Sequence, residues 1–499
     1  MISRNKRAGL GLPVAIQNSK AAACSAILVV AAIFFVAANL QAATYHVQPG
    51  GTYPTLQAVV GILAEGDVVE VEGDATYPGD VTFTRPGKAD AKITIRGIRV
   101  NGRRPVISGG TNTVAFTTPW PYSGPGADHY VFEGFEVTGG SQRCIYHQAD
   151  DLIVRDVVVH DCSGQGIHGA DGGSGDITLE YVEVYACGSG DRNHQIYMAT
   201  DEVHYPGSVF RMQYCYIHDG SGGNNVKSRA ERNEIYYNWI ENAYYHELEL
   251  IGPDGGDGGD SSLAREDSDV VGNVLRKTAR NGFVTRVGGD GTGESFGRYR
   301  FVNNTIISAQ SAVFRLFDGL ESIEMHNNIF YRNNGGAVDL IRDAEVNWTT
   351  GSARIAGNHN WVAQGALHVP SQWQETRYGT DPGFVDFSSA DLRLASDSLL
   401  IDEADPSPLG VPGYAFPNPL PLPLMHPPLH HVDSVDSAEA RPDDGSPDIG
   451  AYEEGADTPT PPGAPPGSSG STPPDDTGGS GGGCFVQALY YASPALERN

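Results

Sequence analysis

A short apolar motif recurs along most of the chain. From about residue 129, each copy has a β-branched or aromatic run, a polar turn and a second short apolar run, as at residues 157–159 and 182–184. Successive copies start roughly 22 to 35 residues apart, and no segment keeps the 3.6-residue period of a helical repeat. Stacked strands with such a period are typical of a solenoid. The pattern predicts an all-β fold, a single-stranded right-handed parallel β-helix.

Asparagine opens five of the later copies at the same place. In stacked strands, aligned Asn side chains bond to the equivalent amides above and below them. Five occurrences in register therefore predict an asparagine ladder. Its members are Asn238, Asn273, Asn304, Asn328 and Asn360.

Both ends of a β-helix need a cover, because an open end is an unpaired sheet edge. Residues 54–64 have apolar positions at helical spacing, which predicts an N-terminal helical cap followed by a first strand at residues 66–71. Residues 381–453 are irregular and proline-rich, as expected of a C-terminal cap.

The chain outside this body divides into three segments. Residues 1–42 have a basic start, an apolar run and a small-residue cleavage site, and they predict a signal peptide, with an uncleaved anchor as the alternative. The β-helix with its caps takes residues 43–455. Residues 456–483 form a linker rich in Pro, Gly, Ser and Thr, and residues 484–499 a short tail. We expect a bacterial protein that is secreted or held at the cell surface.

The formal net charge of −28 argues against a nucleic-acid partner. It also repels an acidic polymer, unless local cations or a metal ion offset it. In an oxidising compartment, the four cysteines of the body can form disulfides. Cys162 and Cys187 take equivalent positions in adjacent copies, so their Cα atoms should lie about 4.8 Å apart. They are either a disulfide or a pair of free stacked thiols.

The second strand of each copy predicts a stripe of outward side chains, because strand residues alternate between inside and outside. A second outward column, two residues further on, contains Arg229 and Arg286. A polymer could lie along this stripe, and the alternative is an ordinary solvated face. The first column is His168, Tyr197, Lys227, Glu249, Val284, Arg315 and Asp339.

Lys227 and Arg229 lie side by side in this stripe, and two adjacent cations lower each other's pKa. Such a lysine can act as a general base. This chemistry fits β-elimination of a uronate-containing polysaccharide, with arginines neutralising the carboxylate. Tyr197 or His168 would protonate the leaving oxygen. The alternative is that both are surface cations paired with acidic neighbours. We expect the substrate to contact His194, His246, Glu249, Arg286 and Arg315.

A glycine-rich acidic segment follows Glu249. Carboxylates spaced by glycine can wrap calcium, which takes six to eight oxygen ligands. The spacing is not that of an EF-hand, so an acidic flexible insertion is the alternative. The candidate calcium ligands are Glu249, Asp254, Asp257 and Asp260.

Residues 43–453 resemble the secreted right-handed parallel β-helix proteins of the pectate-lyase-like superfamily. The resemblance rests on the opening TYHVQPGGTYPTLQAVVGILAEGDVVEV, the boxes NHQIYMA and NNVKSRA, and the closing SPDIGAYE. It implies Lys227 as the base with Arg229 beside it. The chain lacks the Asp triad of the pectin hydrolases and a clear aspartate set for the calcium site of pectate lyases. The tail GGGCFVQALYYASP resembles a Cys-Phe-Ile sorting box, which implies surface attachment through Cys484.

Three functions fit these features. A polysaccharide lyase acting on an acidic polysaccharide is favoured. A non-catalytic adhesin or glycan-binding β-helix would use the same stripe. A glycoside hydrolase comes third, because Glu249 and Asp339 lie too far apart for its carboxylate pair. In each case we expect a monomer that meets membranes only through its signal or tail.

Overall fold

The computed structural model describes residues 42–454, except for segments 253–266, 279–280, 291–296, 310–311, 343–347, 349–353 and 431–433 and the single residues 123, 318, 417 and 444. Within these residues, the regular structure consists of 33 short strands and two 3-10 helices, Leu56–Ala58 and Phe387–Ser389. None of the described helices is long and apolar enough to cross a membrane. The predicted signal peptide, linker and tail lie outside the described residues.

The strands stack in parallel as three faces of a solenoid. Face 1 contains β1 (Thr44–Val47), β2 (Val68–Glu72), β5 (Ile93–Ile98), β8 (Tyr130–Glu133), β11 (Leu152–His160), β13 (Ile177–Tyr185), β15 (Val209–Gln213), β18 (Arg232–Tyr236), β21 (Asp267–Val271), β24 (Arg298–Val302), β27 (Ser322–His326) and β29 (Ile355–Asn358). Face 2 contains β3 (Thr76–Pro78), β6 (Val106–Ser108), β9 (Glu136–Thr138), β16 (Tyr216–His218), β19 (Trp239–Glu241), β22 (Val274–Arg276), β25 (Thr305–Ser308), β28 (Ile329–Arg332), β30 (Trp361–Ala363) and β31 (Arg377–Gly379). Strands β11 and β13 run through both faces and join them.

Face 3 is a separate nine-stranded parallel sheet. Its strands are β4 (Val81–Phe83), β7 (Asn112–Thr117), β10 (Arg143–Gln148), β12 (Gln165–Gly169), β14 (Ile196–Ala199), β17 (Val226–Arg229), β20 (Leu248–Leu250), β23 (Thr285–Val287) and β26 (Phe314–Leu316). An antiparallel pair, β32 (Phe384–Asp386) and β33 (Asp391–Leu394), follows the last coil.

The core runs the length of the solenoid, because each coil points equivalent apolar residues inward. On face 3, Ile167, Ile196, Val226 and Leu248 are paired in register and are fully buried. Their outward neighbours are polar, as strand alternation requires. The predicted parallel β-helix is therefore confirmed.

The predicted asparagine ladder is also confirmed. All five side chains are buried, and in the last four each Oδ1 accepts hydrogen bonds from the backbone N and Nδ2 of the preceding member. The first, Asn238 Oδ1, accepts from Cys215 N. Each Nδ2 also donates to a carbonyl oxygen, such as that of Val270 for Asn304, at 2.9 Å. These amides satisfy the turn between faces 1 and 2 at five successive coils.

The N-terminal helical cap was wrong in its form. Leu56, Val59 and Leu63 are buried, as helical spacing predicts, but the regular helix is only the three-residue 3-10 turn Leu56–Ala58. Beyond it, one backbone bond, Val60 N to Leu56 O, spans four residues, and the next, Ile62 N to Val59 O, is again of the three-residue type. The β-branched Val59 and Val60 disfavour a longer α-helix. Residues 68–72 also form the second strand, because Thr44–Val47 precedes and pairs with them.

The predicted Cys162–Cys187 disulfide was wrong. Cys162 is bonded to Cys144 of β10 with a Cα–Cα distance of 5.9 Å, and Cys187 and Cys215 are free and buried. Cys162 and Cys187 do take equivalent positions, since Val157 pairs with Val182. Side chains stacked in parallel keep their Cβ atoms near the 4.8 Å strand spacing, whereas a disulfide needs about 3.5–4.5 Å. Stacking therefore works against this bond.

The proline-rich C-terminal region does more than follow the last coil. We call the described part of residues 402–454 the return segment, because it runs back along earlier coils. Val411 N donates to Glu324 Oε1 at 3.1 Å, and Leu424 N donates to the hydroxyl oxygen of Tyr237 at 3.1 Å. The segment then returns toward the end, where Asn303 Nδ2 donates to the Asp448 carbonyl. It thus covers the outside of face 1 over several coils.

Candidate functional site

The outward column of face 3 holds, in one line, six of the nine predicted site residues that the structure describes. The parallel register pairs Tyr146, His168, Tyr197, Lys227, Glu249, Arg286 and Arg315 in succession. The alignment of the repeats places Val284 and Asp339 in this column and Arg286 in the second outward column, and all three positions were wrong. Val284 is buried, and Ile341, rather than the residue before Asp339, continues the inward column after Phe314. Longer turns in these two coils shift the strands by two or three residues relative to the marker.

A cavity of about 790 Å³ opens on this face around Lys227. Six predicted site residues line it: His194, Tyr197, Lys227, Arg229, Glu249 and Arg286. His168, His246 and Arg315 are not among its lining residues. The lining also includes residues that the sequence did not single out: Asp191, Arg192, Asn224, Tyr244, Tyr245, Asn281, Gly282 and Asp290.

Lys227 projects outward from β17, because Val226 and Ser228 on either side of it point into the core. Its Nζ lies 2.9 Å from Asp290 Oδ2, 3.9 Å from Glu249 Oε2 and 5.1 Å from the centre of the Tyr197 ring. Its side chain is 12 % exposed. Burial lowers the pKa of Lys227, the nearby arginines lower it further, and Asp290 opposes the shift. The pKa of Lys227 is therefore lowered, as the sequence predicts, but the largest cause is burial and not the neighbouring cations.

Arg229 reaches the same carboxylate from the next outward position. Its Nη2 lies 2.7 Å from Asp290 Oδ2, and its Nε donates to the Tyr197 hydroxyl oxygen at 3.1 Å. Its Nη1 donates to the Gly252 carbonyl at 2.7 Å. The side chain is only 3 % exposed, so Arg229 is not a solvated surface cation. Its guanidinium group connects the Lys227 region with the tyrosine hydroxyl.

The acidic residues nearest in sequence are engaged elsewhere. Glu234 pairs with Arg211 and Arg232, and Glu231 accepts from the backbone N of Gly207. Of the three acidic neighbours Glu231, Glu234 and Glu249, only Glu249 lies close to Lys227. The main partner is Asp290, which follows β23 more than 60 residues later.

Glu249 is fully buried and is held by positively polarised groups. Its Oε1 accepts from Arg286, and its Oε2 accepts from Asn224 Nδ2. A calcium ion on the same oxygens would lie against the Arg286 guanidinium, so Glu249 does not fit as a calcium ligand in this arrangement. The other predicted ligands, Asp254, Asp257 and Asp260, lie outside the described residues. Elsewhere in the described chain, no three His, Cys, Asp or Glu side chains form a group that could hold a metal ion.

Of the three predicted histidines, His194 and His246 are buried and His168 is half-buried, and all three are uncharged at neutral pH. Burial lowers the pKa of both His194 and His168 to about 3, and that of His246 well below its ordinary value. His194 Nδ1 accepts from Asn224 N at 2.8 Å. His168 stacks on Tyr197 and accepts from Arg143 Nε at 2.6 Å. Because His168 carries no extra proton and lies outside the cavity lining, Tyr197 is the better placed proton donor.

The remaining two residues border the site. His246 lies behind the cavity, where its Nδ1 accepts from Phe283 N at 2.8 Å. Arg315 extends the cationic column one coil beyond Arg286, and its guanidinium lies 4.4 Å from the centre of the Phe317 ring. Neither is positioned to contact a ligand at Lys227, although Arg315 could contact a polymer that extends along the column.

Comparison with known proteins gives the fold a context. No family model and no curated protein matches the chain. Among solved structures it is similar to pectate lyase Pel9A, with a TM-score of 0.53 and 13 % identity over 83 % of this chain and 97 % of that one. It is also similar to XylC in complex with xylose, with a TM-score of 0.45 and 12 % identity over 68 % of this chain and 86 % of that one. A third similar structure is the alginate lyase of Paenibacillus sp. str. FPU-7, with a TM-score of 0.37 and 15 % identity over 60 % of this chain and 97 % of that one. At these identities the likeness concerns the fold alone. The chain is thus a parallel β-helix whose structural neighbours include polysaccharide lyases.

Proposed function

We propose that this protein is a polysaccharide lyase that cleaves uronate-containing glycans by β-elimination, with Lys227 as the base. The observation that carries the proposal is the buried Lys227 ammonium group in an open cavity, beside two arginines and a tyrosine hydroxyl. A base has to be neutral to accept a proton, and burial shifts Lys227 toward its neutral form. Burying the charged form of a lysine has a desolvation cost, which the neutral form avoids.

The proposed reaction uses three side chains. Arg229 binds the uronate carboxylate and so acidifies the adjacent C5–H bond. Lys227 Nζ takes the C5 proton, and the electron pair of that bond forms the C4–C5 double bond as the C4–O bond breaks. The Tyr197 hydroxyl, which accepts from Arg229 Nε, gives its proton to the leaving oxygen. Proton transfer by a positioned side chain contributes about 10²- to 10⁴-fold to a rate.

A second observation supports an elongated ligand. The cavity is one part of a continuous outward column that runs from Tyr146 to Arg315 across seven coils of face 3. Seven coils at the 4.8 Å strand spacing span about 29 Å. That length suits several sugar units. An acidic polysaccharide is therefore the proposed partner, and export to the cell surface or medium stays part of the proposal.

The decisive experiment is an ultraviolet assay for unsaturated uronate products. Residues 43–455 are incubated with pectate, alginate, rhamnogalacturonan and glycosaminoglycans, each with calcium or with a chelator. We expect one polymer to give product, and Lys227→Ala to lower the rate by 100-fold or more. The control is Lys88→Ala, an exposed lysine paired with Glu65, which should leave the rate unchanged.

Other outcomes are equally informative. New reducing ends without ultraviolet absorbance would indicate a hydrolase. Binding of one polymer without any product would contradict the lyase and indicate a glycan-binding module. Loss of product in the chelator would restore a role for calcium, with ligands other than Glu249.

A further inference from the structure

Asp290 is a carboxylate built into the cationic centre of the cavity. Its Oδ2 lies 2.9 Å from Lys227 Nζ and 2.7 Å from Arg229 Nη2, so that one oxygen bridges both cations. The side chain is 7 % exposed. Asp290 belongs to no strand; it follows β23 in a turn. The sequence gives no sign of this contact, because Asp290 is more than 60 residues from its partners.

A substrate carboxylate needs the same contacts with Lys227 and Arg229 that the Asp290 carboxylate makes. A uronate whose C5 proton faces Lys227 must place its carboxylate within reach of Arg229, and that position is filled by Asp290. Two carboxylates at one bridging position repel each other strongly, so they cannot share it.

The other carboxylate of the centre is less suited to leave. Glu249 is fully buried on β20 and is held by Arg286 and Asn224 as well as lying near Lys227. Removing it would leave Arg286 buried beside Lys227 with less compensation, which is costly. Asp290 has some exposure and comes from a turn. It is therefore the carboxylate that can be exchanged.

We propose that Asp290 is an internal stand-in for the substrate carboxylate, and that binding exchanges one for the other. This inference rests on the proposed function, because it assigns the ligand of the same site. The exchange leaves the charge of the centre unchanged, so Lys227 and Arg229 never lie buried without an anion. It also sets specificity, because a neutral sugar or a uronate ester cannot replace Asp290 and gains nothing from the cations.

The test is binding of monouronates to Asp290→Asn, which removes the charge and keeps the size. The probes are D-galacturonate, D-mannuronate and D-glucuronate, each compared with its neutral parent sugar by calorimetry. We expect at least one uronate to bind tenfold or more tighter than to the native protein, with the neutral sugars unchanged. Asp191→Asn is the matched control, since Asp191 lines the same cavity but is exposed. Unchanged, weaker or undetectable binding of all three uronates in a folded Asp290→Asn overturns the proposal.

A second readout separates exchange from a structural role. The charged groups around Lys227 are Asp290, Glu249, Arg229 and Arg286, with the neutral His194 nearby. Removing Asp290 takes away the group that opposes the lowered pKa of Lys227. In a plot of the reaction rate against pH, the rise on the acidic side should therefore move to lower pH. A shift of this rise to higher pH would contradict the inference. Tighter uronate binding without any unsaturated product would contradict the proposed lyase activity but support the exchange of Asp290 for the substrate carboxylate. Unsaturated product without tighter uronate binding would support the lyase activity and contradict the exchange.

Discussion

Replacing Asn304 by alanine should lower the free energy of unfolding by about 4–6 kcal/mol. Asn304 lies in the middle of the asparagine ladder and is fully buried. Its Oδ1 accepts from the backbone N and the Nδ2 of Asn273 at 3.0 and 3.1 Å, and its own Nδ2 donates to Asn328 Oδ1 at 3.0 Å. Alanine removes these three bonds and also the bond from Asn304 Nδ2 to the Val270 carbonyl.

The magnitude follows from what each lost bond leaves behind. Asn273 Nδ2 still donates to the Ile235 carbonyl, and Asn328 Oδ1 still accepts from the backbone N of residue 304. Each of these two losses, and the loss of the bond to the Val270 carbonyl, costs about 1 kcal/mol net. The backbone N–H of Asn273 is left buried without its acceptor, which costs about 1–3 kcal/mol. The sum is about 4–6 kcal/mol.

Equilibrium urea unfolding and amide hydrogen exchange measure this effect. Exchange is the sharper assay, because a solenoid can open locally. The amide of Asn273 should lose protection by a factor of about 100 or more, as 1.4 kcal/mol corresponds to tenfold. Asn334→Ala is the control, since Asn334 is exposed and accepts one bond from Gly336 N. A loss below 1 kcal/mol, or one equal to that of the control, would refute the reasoning.

Three further predictions concern single groups. Cys144→Ser should destabilise the protein by about 3 kcal/mol and abolish the effect of dithiothreitol on the urea midpoint, because the bond to Cys162 closes an 18-residue separation; an unchanged midpoint would argue against the disulfide. Tyr197→Phe should lower turnover by about 100-fold with little change in KM, since the hydroxyl is assigned to proton donation; steady-state kinetics check this, and a change in KM alone would reassign Tyr197 to binding. The His194 ring should not titrate between pH 5 and 8 by NMR, because its pKa is about 3 in the folded protein. Its unfolded pKa is near 6.5, so the stability linked to His194 is fully present above pH 6.5 and is lost as pH falls toward 3; a titration near pH 6.5 would show that the ring is solvated.

The parts of the fold that could be predicted from the sequence repeat along the chain. The strand motif and the five asparagines recur in register, so each copy supports the assignment of the others. Lys227 could be placed outward because Val226 and Ser228 alternate with it in one short strand. The prediction of the outward column was wrong at Val284, because a longer turn in that coil shifts the strand relative to the preceding coil.

The parts that could not be predicted depend on contacts without a local pattern. Asp290 reaches Lys227 from a turn two coils later, and nothing in its own neighbourhood marks it. The disulfide partner of Cys162 was not predicted, because the stacked Cys187 was expected to lie within bonding distance. Cys144 instead approaches Cys162 from another face, inside the core. The return segment carries no strand period at all, so its path along face 1 could come only from the folded chain.

That return segment limits how the protein can change in length. Solenoids gain and lose coils readily, since each coil contacts mainly its neighbours. Here Val411 is fixed to Glu324 and Leu424 to Tyr237, and these contacts lie three strands of face 1 apart. A coil inserted or deleted between β18 and β27 would move one anchor by about 4.8 Å relative to the other. The segment reaches back as far as β13, where the Tyr181 side chain hydrogen-bonds the backbone of residues 436 and 438. Coil duplication during evolution, or by design, should therefore be tolerated before β13 but not beneath the return segment.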